Sequence, residues 1–176
     1  MAKIIAIATN LFEDSELTSP KKALEDAGHT VDVAENEANK DITGKHGAKV
    51  AVNKTIDQVN FNDYDALLIP GGFSPDQLRA DQRYVNLVRS FLLSDKPVFA
   101  ICHGPQLFIQ SGLASALTLT AVSQVRNDLF YAGAKTKDQS VVVDSKHNLV
   151  TSRTPADLKD FNREAKKMLA SAPVAG

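Results

Sequence analysis

Residues 97–108 read PVFAICHGPQLF, an apolar run that stops at the chain's one cysteine and resumes with the character of a helix start. Pro97–Ile101 has the continuous apolar character of a strand buried on both faces, and Pro105 suits a helical first turn, where a missing N–H costs nothing. Cys102 therefore stands on a sharp turn from strand to helix. In such an elbow the nucleophile's backbone is strained, and the residues two before and two after it must be small so that strand and helix do not collide. Here they are Ala100 and Gly104. A thiol placed there projects from the carboxyl edge of the sheet at a helix N-terminus, where free N–H groups favour thiolate and lower its pKa. The bland reading, a buried cysteine acting as a small hydrophobe, leaves the small-x-Cys-x-Gly pattern unexplained.

Outward from that turn, strands and helices alternate. Lys3–Thr9 is apolar and β-branched enough for a buried strand, and Leu17–Ala27 shows helical spacing at Leu17, Leu24 and Ala27, with Gly28 as its stop. His29–Glu35 resumes as a strand, Ala66–Pro70 is a short buried one, and Gln82–Ser94 is an amphipathic helix. A helix from Pro105 to Ser111 follows the Pro97–Ile101 strand. This βαβ repetition predicts an α/β fold, a doubly wound, mostly parallel sheet. Ser140–Asp144 and Leu149–Ser152, separated by Ser145-Lys146-His147-Asn148, read as a hairpin added to the sheet, and Pro155–Leu169 as a closing helix with Thr154 as N-cap. The segment 36–54 is polar, with Thr43-Gly44-Lys45-His46-Gly47 as a turn. No repeat or linker divides the chain, so a single domain over residues 1–176 is expected.

Composition narrows the function classes. With 176 residues, 43% apolar and 23% charged, the chain can bury a substantial core. Its 20 basic and 21 acidic residues are interspersed and leave a net charge of −1, so nothing invites a nucleic acid or an anionic membrane. The apolar run Ile4–Ala8 is too short for a signal or a membrane span, which points to the cytoplasm. One cysteine cannot close an internal disulfide, and the histidines at 29, 46, 103 and 147 lack the paired spacing of metal ligands, so neither metal nor cofactor is expected.

Ligand sites in open α/β sheets collect beyond the carboxyl ends of the strands. After the first strand comes Asn10-Leu11-Phe12-Glu13-Asp14-Ser15-Glu16, a carboxylate-rich loop able to place one acid over the thiol. Glu13 is the candidate, with a helix-entry acid favouring the N-terminal dipole as the alternative. After Ala66–Pro70 come Gly71 and Gly72, which permit close backbone approach and offer an N–H to an oxyanion, or form a plain turn. His103 is either a base or the occupant of the helix start, and as a base it needs an orienting acid. His29 and His147 read as solvated surface residues.

These segments together resemble the PfpI-like intracellular protease and deglycase family, within the class I glutamine amidotransferase-like superfamily that also contains the parkinsonism-associated deglycase. The resemblance is carried by FEDSEL, ITGKHG, DALLIPGGFSPDQLR, KPVFAICHGPQLF, YAGA and VTSRTPADLKDFNRE, covers nearly the whole chain, and is strongest to the bacterial general stress protein branch. It implies a flavodoxin-like α/β/α sandwich, Cys102 as nucleophile with His103 as its partner, Glu13 hydrogen-bonded to the thiol, and the amides of Gly72 and His103 as oxyanion hole. It also implies a homodimer or larger homo-oligomer in which a neighbouring subunit supplies the acid that orients His103. The matching position is Asp76, one methylene shorter than the family's Glu. The alternative for Asp76 is a cap of its own short helical turn.

Three functions fit these residues. Cys102 adds to reactive dicarbonyls such as methylglyoxal, or to their adducts on glycated proteins, with Glu13 shuttling protons and lactate released. Peptide hydrolysis is the alternative, and it needs an oriented His103 and a groove for an extended chain. A redox sensor uses the same thiol without turnover. Glutaminase chemistry is set aside, because a late His-x-Glu pair is absent: His147 is followed by Asn148 and Leu149.

Overall fold

Side chains alternate across each central strand, and that alternation sorts the core into two apolar layers. Ile5 and Ile7 pack on one face of the sheet while Ile4 and Ala6 pack on the other. The computed structural model describes residues 1–171. In chain order the elements are β1 (Lys3–Ile7), α1 (Asp14–Asp26), β2 (Thr30–Glu35), β3 (Lys40–Thr43), β4 (Lys49–Val52), β5 (Lys54–Thr55) and β6 (Ala66–Ile69). Then come α2 (Ser74–Leu78), α3 (Gln82–Leu92), β7 (Val98–Ile101), α4 (Gln106–Gln110), β8 (Thr118–Leu119) and α5 (Ser123–Tyr131). The chain continues through β9 (Lys135–Thr136), β10 (Val141–Asp144) and β11 (Leu149–Ser152) to α6 (Leu158–Ser171).

The main sheet runs β10-β11-β7-β6-β1-β2-β5, parallel throughout except for the antiparallel edge strand β10. Helices α3, α4 and α5 cover the face that carries Ile5 and Ile7; α1, α6 and the β3–β4 hairpin cover the other. This is the doubly wound flavodoxin-like α/β sandwich with an added hairpin. Gly28 closes α1 with φ +90, as its position after the apolar stripe implies.

Several elements depart from the sequence reading. The segment 36–54 holds the hairpin β3–β4, whose alternation Ile42, Val50 and Val52 is short and masked by flanking charge. Helix α5 and strands β8 and β9 lie in a stretch without readable periodicity. Thr154 precedes a 3-10 turn, Pro155–Asp157, and its side chain makes no capping bond; Asp157 instead accepts from the Arg153 N–H at 3.0 Å. Two histidines read as solvated are tied down: His29 Nδ1 accepts from the Ala2 N–H at 3.0 Å, and His147 Nδ1 lies 3.0 Å from the buried Asp144 carboxylate. Among the described residues no helix is long and apolar enough to cross a membrane.

Candidate active site

Strands β1, β6 and β7 are neighbours in the sheet, so the loops at their carboxyl ends meet above it. Cys102 follows β7 with φ +62, the strained left-handed conformation expected of an elbow. The turn is pinned on both sides: the Cys102 N–H donates to the Ser152 carbonyl at 3.0 Å, and the Cys102 carbonyl accepts from the Val122 N–H at 3.1 Å. Gly104 has to be glycine, since a Cβ there would lie 2.6 Å from the Ile69 carbonyl oxygen. The helix after the elbow, α4, begins only at Gln106 and lasts five residues.

From β6 come Gly71 and Gly72, from β1 the loop ending in Glu13. Phe73 N–H donates to the Leu11 carbonyl at 2.9 Å and Glu13 N–H to the Gly71 carbonyl at 3.2 Å, which holds the two loops edge to edge. Gly72 has φ +76, and a Cβ on it would strike the Leu11–Glu13 backbone. Of the expected oxyanion pair, the Gly72 N–H is thus left without a hydrogen-bond partner among the described residues, and the His103 N–H is directed at the Cys102 sulfur.

The acid beside the thiol is not Glu13 but Glu16. Glu13 precedes α1, and its carboxylate turns away to Lys45 Nζ at 3.2 Å and His46 Nε2 at 3.5 Å. Glu16 lies on the buried face of α1 with Leu17, Pro20 and Leu24, fully enclosed, and its Oε1 accepts from the Gly71 N–H at 3.0 Å. Its Oε2 is buried without a fixed hydrogen-bond donor. Burial, with the Glu13 charge adding to it, pushes the Glu16 carboxyl up to about 8. The signal for Glu16 was present in the sequence: an acid in register with Pro20 and Leu24 sits on an apolar stripe, where a charge belongs only for a reason.

The thiol also differs from expectation. Cys102 is 9% exposed, and burial, followed by the neighbouring Glu16 charge, pushes its pKa up to about 12 rather than down. A five-residue helix that starts four residues later offers little dipole to oppose this. Glu16 and Cys102 lie close enough for each to influence the other's protonation, so the two groups titrate as a pair.

His103 Nδ1 is 3.4 Å from Cys102 Sγ. Burial, and then the Lys45 charge, lower the His103 pKa, while Asp76 opposes them. Asp76 is exposed on α2 within electrostatic reach of His103 but makes no hydrogen bond to it within this chain. Among the described residues no three His, Cys, Asp or Glu side chains are grouped to hold a metal ion.

The sequence profile of the DJ-1/PfpI family matches residues 2–168. A Bacillus subtilis relative named "Putative cysteine protease YraA" is 53% identical over 167 residues, 95% of this chain and 98% of the relative. General stress protein 18 of the same organism is 51% identical over 168 residues, 95% of this chain and 97% of the relative. Among solved structures, a two-domain Anabaena variabilis protein with DJ-1/ThiJ/PfpI-like and ferritin-like domains superposes with a TM-score of 0.92 at 32% identity, covering 97% of this chain and 48% of that one. A ThiJ/PfpI domain protein from Brachyspira murdochii gives 0.90 at 25% identity, covering 97% and 98%. Schizosaccharomyces pombe DJ-1, at 23% identity and a TM-score of 0.84, shares the fold.

Proposed function

The chain belongs to the DJ-1/PfpI family, and from that membership we propose that it is a cysteine-dependent stress-protection enzyme acting on reactive dicarbonyls and their adducts. The observation that carries this reading is the enclosed Glu16 carboxyl, pushed up to about 8, beside a thiol held on a strained elbow. Dicarbonyl isomerisation needs one group that takes and returns protons near neutral pH, and a carboxyl tuned to that range suits it.

In this mechanism the ionised fraction of Glu16 takes the thiol proton as the Cys102 sulfur bonds to the aldehyde carbon of methylglyoxal. The alkoxide is received by the Gly72 and His103 amides. Glu16, after releasing that proton to the oxygen, removes the hydrogen from the former aldehyde carbon and delivers a proton to the adjacent carbon, leaving a thioester. Water cleaves the thioester, and lactate and free thiol result, so methylglyoxal plus one water gives lactic acid. No external oxidant or cofactor enters the balance.

Peptide hydrolysis is the second reading, supported by His103 Nδ1 at 3.4 Å from the sulfur. It needs an acid to orient His103; in this reading Asp76 of a second copy in a homodimer or larger assembly supplies it, since Asp76 makes no hydrogen bond to His103 within its own chain. The proposal places the protein in the cytoplasm as one domain.

The test is to incubate the protein and its Cys102→Ala variant with methylglyoxal and, separately, with an unfolded fluorogenic peptide. Cysteine-dependent lactate without peptide cleavage supports the first reading, and the reverse supports the second. If neither product forms, the thiol serves as a sensor without turnover.

A further inference from the structure

The turn between β3 and β4 carries Lys45 and is locked onto the loop that precedes α1. Leu11 N–H donates to the Thr43 carbonyl at 2.8 Å and Lys45 N–H to the Phe12 carbonyl at 2.9 Å, so the β3–β4 turn is stitched to the Leu11–Glu13 loop. Asp14 fastens it from below, accepting from His46 N–H at 3.0 Å and Ala48 N–H at 2.8 Å, with Gly44 pressed against the carboxylate. From this turn Lys45 Nζ reaches to 3.2 Å from Glu13 Oε2 and 5.2 Å from the Phe73 ring centre. Its side chain keeps 32% exposure, and its charge is felt by both His103 and Glu16, the groups that flank the sulfur.

The inner pocket offers little charge of its own near neutral pH, because His103 is held toward its neutral form and Glu16 toward its protonated one. Glu13 has a second partner, His46 Nε2 at 3.5 Å from its other oxygen. One of the three Lys45 N–H donors faces Glu13 and the others remain for a ligand. We propose that Lys45 is a specificity-determining residue that receives an anionic group adjacent to the reactive carbon, so that the site favours carboxylate-bearing carbonyl compounds over neutral ones of equal size. This deepens the dicarbonyl reading and rests on it for the identity of the substrate. It also gives the hydroxy-acid product, whose carboxylate forms at the thioester carbon, a partner on its way out.

Two alkylating reagents of matched size separate this from turnover altogether. Iodoacetate and iodoacetamide carry the same leaving group and differ by one charge, and Cys102 is the chain's one thiol, so mass shift reports its reaction alone. Rates are measured at pH 8.5 and low salt for the native protein, Lys45→Met and Lys45→Arg. The iodoacetate to iodoacetamide ratio should fall roughly fivefold in Lys45→Met, the scale of one charge acting across a half-solvated gap, and be kept in Lys45→Arg. Added salt should erode the native ratio. Because any effect of Lys45 on the thiol itself changes both rates together, an unchanged ratio in Lys45→Met overturns the proposal. So does an equal fall with both reagents. A protein that alkylates with the expected ratio yet makes no lactate would refute the dicarbonyl reading and leave the anion site standing.

Discussion

Replacing Glu16 by Gln should strengthen the fold at alkaline pH while abolishing turnover. The carboxyl is fully enclosed, and its pKa rises from 4.5 in the open chain to about 8 in the folded one. A raised acid binds its proton more tightly when folded, so the stability it contributes is complete below about 4.5 and is lost as pH climbs to about 8. With those two values the loss is about 1 kcal/mol at pH 5 and about 4 kcal/mol at pH 8. Gln keeps the acceptor for the Gly71 N–H and carries no ionisable group, so its stability escapes this loss. Its amide faces a sulfur that accepts weakly, a cost of about 1 kcal/mol at every pH. The variant should therefore match the native protein near pH 5 and exceed it by about 3 kcal/mol at pH 8, a gain of about 10 °C in Tm for a chain of this size. Urea or thermal unfolding of both proteins at pH 5, 6.5 and 8 measures the gap, and pH effects of other groups cancel in the difference. A gap that stays flat from pH 5 to 8, or a variant weaker at pH 8, would refute the assignment of Glu16 as a strained buried acid. In the same variant lactate formation should fall by at least 100-fold, whereas Glu13→Gln should retain it within about fivefold, general acid–base groups being worth roughly 10²–10⁴.

Three further outcomes follow from the geometry. Gly71→Ala should destabilise the protein by about 1–3 kcal/mol and silence turnover, because its Cβ would strike Glu16 Oε1 and lie 2.9 Å from Cys102 Cβ; unfolding and lactate assays check both, and a fully active variant would count against the crowding. Iodoacetamide should alkylate Cys102 at pH 7.5 more slowly than an ordinary free thiol, since burial pushes its pKa up to about 12; a rate profile with its inflection below about 8.5 would contradict this. Asp76→Ala and Cys102→Ala, each impaired alone in the peptide assay, should recover activity when unfolded together and refolded as mixed oligomers, one intact site forming where Asp76 of one chain meets Cys102 and His103 of the other; mixed oligomers without recovery would end the shared-site reading.

Much of the fold was legible because its signals are local. The Pro97–Ile101 run, the stop at Gly28 and the small residues at 100 and 104 each report on the backbone within a few positions, and each reappears in the sheet, the αL turn and the strained elbow. The same locality made Cys102 and the Gly71–Gly72 turn readable. It failed for the acid. Glu13 and Glu16 stand one helical turn apart in one acidic stretch, and which of them enters the pocket depends on where α1 begins and which face it lays against the sheet. The helix starts at Asp14, three residues before the expected Leu17, which carries Glu16 onto the buried stripe and leaves Glu13 outside it with Lys45 and His46. The hairpin that brings these two side chains is distant in sequence from the loop it covers. The thiol's raised pKa was likewise beyond reach from the motif, because it is set by the enclosure that α1 and the sheet together create. Burial and long-range contact are properties of the assembled layers, and no spacing along the chain encodes how deeply a charge is enclosed or what is folded over it.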